Sequence, residues 1–328
     1  MTTGLKFVVL KGAAGWGDRL QCLLQAIKYA KATGRYLVVD WRDEEWSHDG
    51  LLTLDDYVDV TGVRHFPLHG FLALFRQGQI GGETIPKPWA VHMDNLDIRT
   101  LVYTELFQLP QHGETIHAIA DFKQADFDAD VVVYAGVGFR AFRFSDFSSL
   151  KPKAWMSADL KRYARNRGLV AKDYDVVHLR AGSKPWAGGQ VALKSLAEKL
   201  DAQFPDLNAY IEQVQQAYAA ACPDAASRKP VWVLSDSAWL ASQWIEKTGI
   251  GQFLSHRMDS KMVASGIHEL KAHDLQSAGL SKFDINLDSL RDFAVMLNAR
   301  SVVSDGHSLF SSMAKSCQGS VHPDWLFD

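Results

Sequence analysis

The chain has few cysteines, no long apolar run and no surplus of charge of one sign, and each shortage removes a class of protein. Its three cysteines, Cys22, Cys222 and Cys317, stand far apart and without C-x-x-C spacing. That pattern argues against a disulfide frame or a zinc site and leads us to expect buried thiols in a reducing compartment. No apolar stretch approaches the ~18 residues of a membrane-spanning helix. Met1 to Lys6 leads straight into a strand pattern, without the charged and apolar regions of a secretory signal, so a cytoplasmic protein is expected. The 35 basic and 38 acidic residues give a net charge of -3, which argues against a nucleic-acid face built on bulk charge and leaves room for local basic pockets. There is no internal repeat and no low-complexity segment. Hydrophobic residues at 47% and charged residues at 22% match ordinary globular usage, not a coiled coil or a disordered chain. Tryptophan is in surplus, at 10 copies. Aromatic faces stack on sugar rings, but burial in a core is the ordinary role for Trp16, Trp41, Trp46, Trp89, Trp155 and Trp186.

At 328 residues the chain exceeds one typical domain of ~150 residues and suits two. Residues 6–10 predict a first strand, Leu20, Leu23, Leu24 and Ile27 then fall on one helix face, and Gly34 stops that helix. A second strand over 37–39 completes a β-loop-α-β unit, whose crossover implies a parallel sheet. The signal is weak from Asp43 to Gln79 and loop-like from Gly81 to Pro88, before Val131 to Tyr134 predict another buried strand. Ser, Asp, Lys and Pro cluster between Phe144 and Pro152. A boundary is expected there, with one Rossmann-like domain over residues 1–150 and another over 151–328. In the second half, strands over 175–180, 231–234 and 301–303 alternate with three helices. The first has the face Leu207, Ile211, Val214 and Tyr218, the next is stopped by Gly249, and the last spans 287–299. The expected fold class is α/β, with two facing Rossmann-like domains and parallel sheets.

Three strand ends in the second half deliver polar residues to one edge, where open α/β sheets bind ligands. His178 and Arg180 alternate with Val177 and Leu179 and so share one face, ahead of the turn Ala181-Gly182-Ser183-Lys184. An arginine closing an apolar strand is costly unless it meets an anion, either a structural carboxylate or a diphosphate held by the guanidinium fork. Ser235-Asp236-Ser237 can cap the helix that follows it or face a ligand. Asp305-Gly306-His307 turns the chain into Ser308, Phe310, Ser311 and Ser312, hydroxyls at a helix N-terminus where the dipole and free N–H groups favour phosphate. Near the amino terminus, Gly12 to Gly17 invites a dinucleotide-binding reading, with Asp40 about 20 residues on. Leu20 stands where that fingerprint needs a third glycine, which disfavours an NAD-linked oxidoreductase. Asp18 and Gln21 fit a capping box, and the alternative is a cleft lined by Arg19 and backbone N–H groups.

Gly15-Trp-Gly-Asp-Arg19, Lys31-x-x-Gly34-Arg35 and Val38-Val-Asp-Trp-Arg42 closely resemble the opening of the nodulation fucosyltransferases, which attach fucose to chitooligosaccharide signals. His178-Leu-Arg180-x-Gly182 resembles the motif those enzymes share with the α-1,6- and protein O-fucosyltransferases. Asp236-Ser237-Ala238 and His307-Ser308-Leu309-Phe310 are similar to their second and third motifs. The resemblance implies a GT-B arrangement, GDP-fucose as donor substrate bound mainly by residues 151–328, and a glycan acceptor on the side of residues 1–150. It also implies inversion at the anomeric carbon, no cofactor and no required metal. By the same resemblance His178 and Asp236 lie near guanine, Arg180 acts catalytically on the β-phosphate, and Ser308 with Ser311 or Ser312 holds phosphates. Gly15, Gly17, Arg19, Gly182, Lys184, Ser237, Asp305, His307 and Phe310 complete the expected donor site. Asp18 is the second catalytic candidate, and Asp94, Asp97 and Asp305 are other carboxylates able to serve as general base. One departure stands out: the relatives commonly follow the motif arginine with a second basic residue, and here that position is Ala181, with Lys184 nearby. A non-catalytic member that only binds a nucleotide sugar or glycan is the alternative this departure raises.

Overall fold

The computed structural model describes residues 4–12, 15–43, 45–97, 127–135, 147–180, 206–223, 229–254, 272–277, 279–306 and 308–327. Their contacts separate into two compact units, Met1–Ser157 with Gly319–Asp324, and Ala158–Gln318 with Trp325–Asp328.

In the first unit, β1 (Phe7–Lys11) is followed by α1 (Trp16–Thr33) and β2 (Tyr36–Asp40). β1 is buried along its whole length, as is β5 (Val131–Ala135), so Phe7–Leu10 and Val131–Ala135 read as apolar runs, as parallel strands covered on both faces do. Gly34 closes α1 in the left-handed conformation at φ 69°, the position where a side chain would be strained. The sheet order is β2-β1-β5-β4, all parallel. β3 (Val58–Val60) instead pairs antiparallel with β6 (Leu150–Pro152). The region of weak signal holds β3 and α2 (Leu68–Arg76), and the loop-like stretch holds β4 (Thr84–Ile85). At two residues, β4 is too short to show a period. α2 and α3 (Trp89–His92) place Leu68, Phe71, Leu72 and Trp89 against Phe7, Val9, Val38, Val131 and Val133.

The division between the units falls inside α4 (Ala154–Arg167), a little beyond the Ser/Asp/Lys/Pro cluster. Long-range contacts carry the first unit this far: Ser157 Oγ donates to the Asp324 carbonyl at 2.9 Å and Phe147 bridges Val321. No period in the sequence announces such a returning tail.

The second unit runs β7 (Asp175–Leu179), α5 (Leu207–Ala221), β8 (Val231–Ser235), α6 (Ala238–Thr248), β9 (Gln252–Phe253), α7 (Ala272–Ser277), α8 (Lys282–Asn298), β10 (Ser301–Ser304) and α9 (Leu309–Cys317). Its sheet is also parallel, ordered β10-β7-β8-β9. Val177 and Leu179 pack with Tyr210, Val214, Leu240 and Trp244 from α5 and α6. The alternate residue His178 faces the other side, its ring 5.7 Å from that of Phe310 on α9. β7 lies between β10 and β8, so connections leave it in both directions. A crevice opens past the strand ends at such a switch point.

Candidate functional site

The end of β7 gathers groups from three strands. Arg180 is the first residue past β7, and its backbone N–H donates to the Tyr210 hydroxyl at 3.0 Å. Its guanidinium lies 3.3 Å from the Asp236 carboxylate, which follows β8; the arginine side chain is 35% exposed and the aspartate 7%. The half-open guanidinium is of the type that pairs with an anion. His178 is buried, and its Nδ1 has no hydrogen-bond partner among the described residues. Burial lowers the pKa of this imidazole; Asp236 and Asp305 oppose that shift without reversing it. The ring is therefore neutral at neutral pH and keeps one buried nitrogen for a ligand.

Ser237 is the N-cap of α6: its Oγ accepts from Leu240 N–H at 3.2 Å, and its own N–H donates to Ser235 Oγ at 3.0 Å. The capping task thus falls to Ser237, and Asp236, one residue earlier, pairs with Arg180. After β10, Asp305 accepts the Ser308 N–H at 3.3 Å. Ser308 occupies the N-cap position of α9, yet its hydroxyl makes no capping bond. Ser311 is buried and donates to the Ser308 carbonyl at 3.2 Å, while Phe310 lies against His178. Ser312 is half-buried in the first turn. The α9 N-terminus, with its first-turn N–H groups, thus stands at the end of β10 next to β7, suited to an oxyanion. Gly182, Lys184 and His307 lie outside the described residues.

Gly15, Gly17, Asp18 and Arg19 belong to the first unit. α1 begins earlier than a capping box at Asp18 requires. Gly15 is its N-cap, in extended backbone, and Asp18 sits in the first turn, where a carboxylate complements the helix dipole. Glycine tolerates the cap position without a side chain, so the local signature pointed three residues too far along. Arg19 is buried against Asp43, with Nη2 2.8 and 2.7 Å from the two carboxylate oxygens, and lies over the rings of Trp41 and Trp46. Trp41, Trp46 and Trp89 are core residues. Cys22, Cys222 and Cys317 are all buried and unpaired with each other, and burial pushes the Cys22 thiol up to about 12.

The sequence reading missed a buried ion ladder in this unit. Lys11 Nζ lies 2.6 Å from Asp40, and Arg42 holds both oxygens of the same carboxylate at 2.8 and 3.0 Å. Burial would raise the Asp40 pKa, but Lys11 and Arg42 outweigh it and hold the group at about 2. Asp94 continues the ladder outward to Arg76, at 2.7 and 2.8 Å. Hydrogen bonding to Arg76 lowers the Asp94 pKa, which weakens it as a general base. An Asp40 so fully engaged has no oxygen left for a ribose hydroxyl. That adds to Leu20 in disfavouring a dinucleotide site.

Each unit holds a parallel α/β sheet, and the fold class is α/β and GT-B-like. Comparison with solved structures finds proteins of similar fold. The crystal structure of fucosyltransferase NodZ from Bradyrhizobium matches with a TM-score of 0.61 at 18% identity, covering 95% of this chain and 93% of that one. NodZ soaked with GDP-fucose matches at 0.58, and POFUT1 in complex with GDP-fucose at 0.51, with 15% identity and 98% of this chain covered. In sequence, the chain is 25% identical over 215 residues to nodulation protein Z of Bradyrhizobium diazoefficiens, an alignment spanning 60% of this chain and 55% of that protein's length. No family model matches the chain. The resemblance read from the motifs is borne out by these comparisons. No helix among the described residues is long and apolar enough to cross a membrane.

Proposed function

We propose that the protein is a glycosyltransferase that transfers fucose from GDP-fucose to a glycan acceptor, with inversion and without a metal. The observation that carries the reading is the convergence of His178, Arg180, Asp236 and the α9 N-terminus at the β7 switch point. The likeness to proteins solved with GDP and GDP-fucose supports the donor. In this reading an acceptor hydroxyl attacks the anomeric carbon from the face opposite GDP, and the bond to the β-phosphate oxygen breaks as the new one forms. The leaving diphosphate gathers negative charge. Arg180 and the first-turn N–H groups of α9 are fixed in place before the reaction and stabilise that charge, the task a divalent cation performs in other transferases. His178, neutral and with a free buried nitrogen, and Asp236 read the base. Asp18 and Asp305 remain the candidate bases for the acceptor proton. Three buried thiols support a cytoplasmic setting.

The test is release of GDP from GDP-fucose by purified protein, with excess EDTA and with added magnesium or manganese. Turnover that survives chelation is the expected result; loss on chelation, restored by either ion, overturns metal independence. Ala181 favours a second reading, a member that binds the nucleotide sugar without turnover. GDP binding with no hydrolysis and no transfer to any chitooligosaccharide would select it.

A further inference from the structure

We infer that Tyr210 is the positioning residue for Arg180, an inference that rests on the donor reading above. Arg180 has just left the ladder of β7, whose last paired residue is Leu179 opposite Ser235. Among the described residues the strand pairings of β7 end there, and the direction in which the arginine side chain departs depends in part on what takes up its N–H. A side chain from α5 does so: the Tyr210 hydroxyl accepts that N–H at 3.0 Å. The ring behind the hydroxyl is fully buried among Val177, Leu179, Val214 and Leu240, so the anchor cannot swing. Tyr210 sits four residues past Asp206, which caps α5 by accepting from Ala209 N–H at 2.8 Å. The helix start is thus itself fixed. Burial first, and then the nearby Asp305, raise the phenol well above its ordinary pKa, so it stays neutral at any working pH. The same hydroxyl therefore stands among the residues that close β7, β8 and β10, and it reaches them from a helix on the opposite side of the strand from Phe310.

A ligand-facing arginine whose backbone is tethered in this way arrives already aimed, and a looser one must be ordered at the cost of binding and rate. The role separates from plain core packing because Tyr210→Phe keeps the ring and removes the hydroxyl that accepts the Arg180 N–H. GDP affinity by calorimetry and melting temperature without ligand are measured for the wild type, Tyr210→Phe, Arg180→Ala and the double variant. One neutral hydrogen bond corresponds to roughly a three- to tenfold change, and GDP affinity of Tyr210→Phe should fall by about that factor. In the Arg180→Ala background the same substitution should cause no further weakening, because there is no guanidinium left to aim. Equal weakening in both backgrounds, or unchanged GDP affinity in Tyr210→Phe while Arg180→Ala binds poorly, overturns the inference and leaves the donor reading standing. If Arg180→Ala itself binds GDP normally, the donor reading fails and the inference with it. Melting temperatures alone do not decide, since a purely structural tyrosine would also lower them.

Discussion

The Arg180 N–H is held by Tyr210 and its guanidinium pairs with Asp236, and a lysine there would keep the charge and lose the fork. If the contact to the diphosphate strengthens as GDP leaves, Arg180→Lys should cut kcat by about a hundred- to thousandfold. The pair with Asp236 tolerates either cation, so the melting temperature should hardly move. Parallel kinetics and melting on one preparation check this: a lysine variant with normal turnover removes Arg180 from the chemistry. Asp40 makes the opposite case, since its partners are buried and nothing suggests that they meet a ligand. Asp40→Asn leaves Lys11 and Arg42 without their shared anion and should cost about 3 to 5 kcal/mol in urea unfolding at neutral pH. Because the folded pKa of Asp40 lies at about 2, below its unfolded value, its stabilisation is present above that unfolded value. It is lost as pH falls toward 2. The asparagine variant should therefore differ from the wild type most at neutral pH and least in acid.

The glycine-rich connection between β1 and α1 invites a ligand-binding role, but one of its glycines has a packing explanation. A Cβ on Gly12 would stand 2.3 Å from Arg19 Nη1 and 2.4 Å from Trp41 Cδ1. Arg19 cannot retreat without releasing Asp43, and Trp41 is fully buried. Gly12→Ala should destabilise by about 1 to 3 kcal/mol, as overpacking does, with a changed near-UV tryptophan spectrum. GDP affinity should stay normal at temperatures where the variant is folded, because the groups proposed to hold GDP lie in the second unit. A large loss of GDP affinity with intact stability would return this connection to the donor site. α6 and α9 differ in a way that matters at the same scale. Ser237 is spent on its helix cap, whereas the Ser308 hydroxyl is not, which makes Ser308 the better candidate for a phosphate contact.

For the molecule as a whole, GDP binding should stabilise the folded state by linkage. At a GDP concentration ~100 times the dissociation constant the gain is about 2.7 kcal/mol, readily seen as a rise in melting temperature. UDP, CMP and NAD at equal concentration should produce smaller shifts, because they lack the base edge that His178 and Asp236 are proposed to read. A clear shift with any of these and none with GDP rejects the donor.

The sequence alone was enough to locate β1, β2, β5, β7, β8 and β10 and to end α1 and α6 at Gly34 and Gly249. Those features are local, set by unbroken apolar runs and by a backbone conformation that glycine adopts without strain. It also made the strand-end motifs at His178, Asp236 and Ser308 legible, since polar residues closing an apolar strand are conspicuous in one dimension. It did not reveal α2 or β4, the tail that returns to the first unit, or the partners of the charges. Asp40 reads as a ribose ligand until Lys11 and Arg42 are seen to occupy both its oxygens, and Tyr210 is absent from the helix face of Leu207, Ile211, Val214 and Tyr218 that the sequence marks. Which strand lies beside β7, and which hydroxyl meets the Arg180 N–H, depend on pairings between distant segments. A short-range pattern of apolar and polar residues carries no record of those pairings, and only the packed tertiary structure decided them.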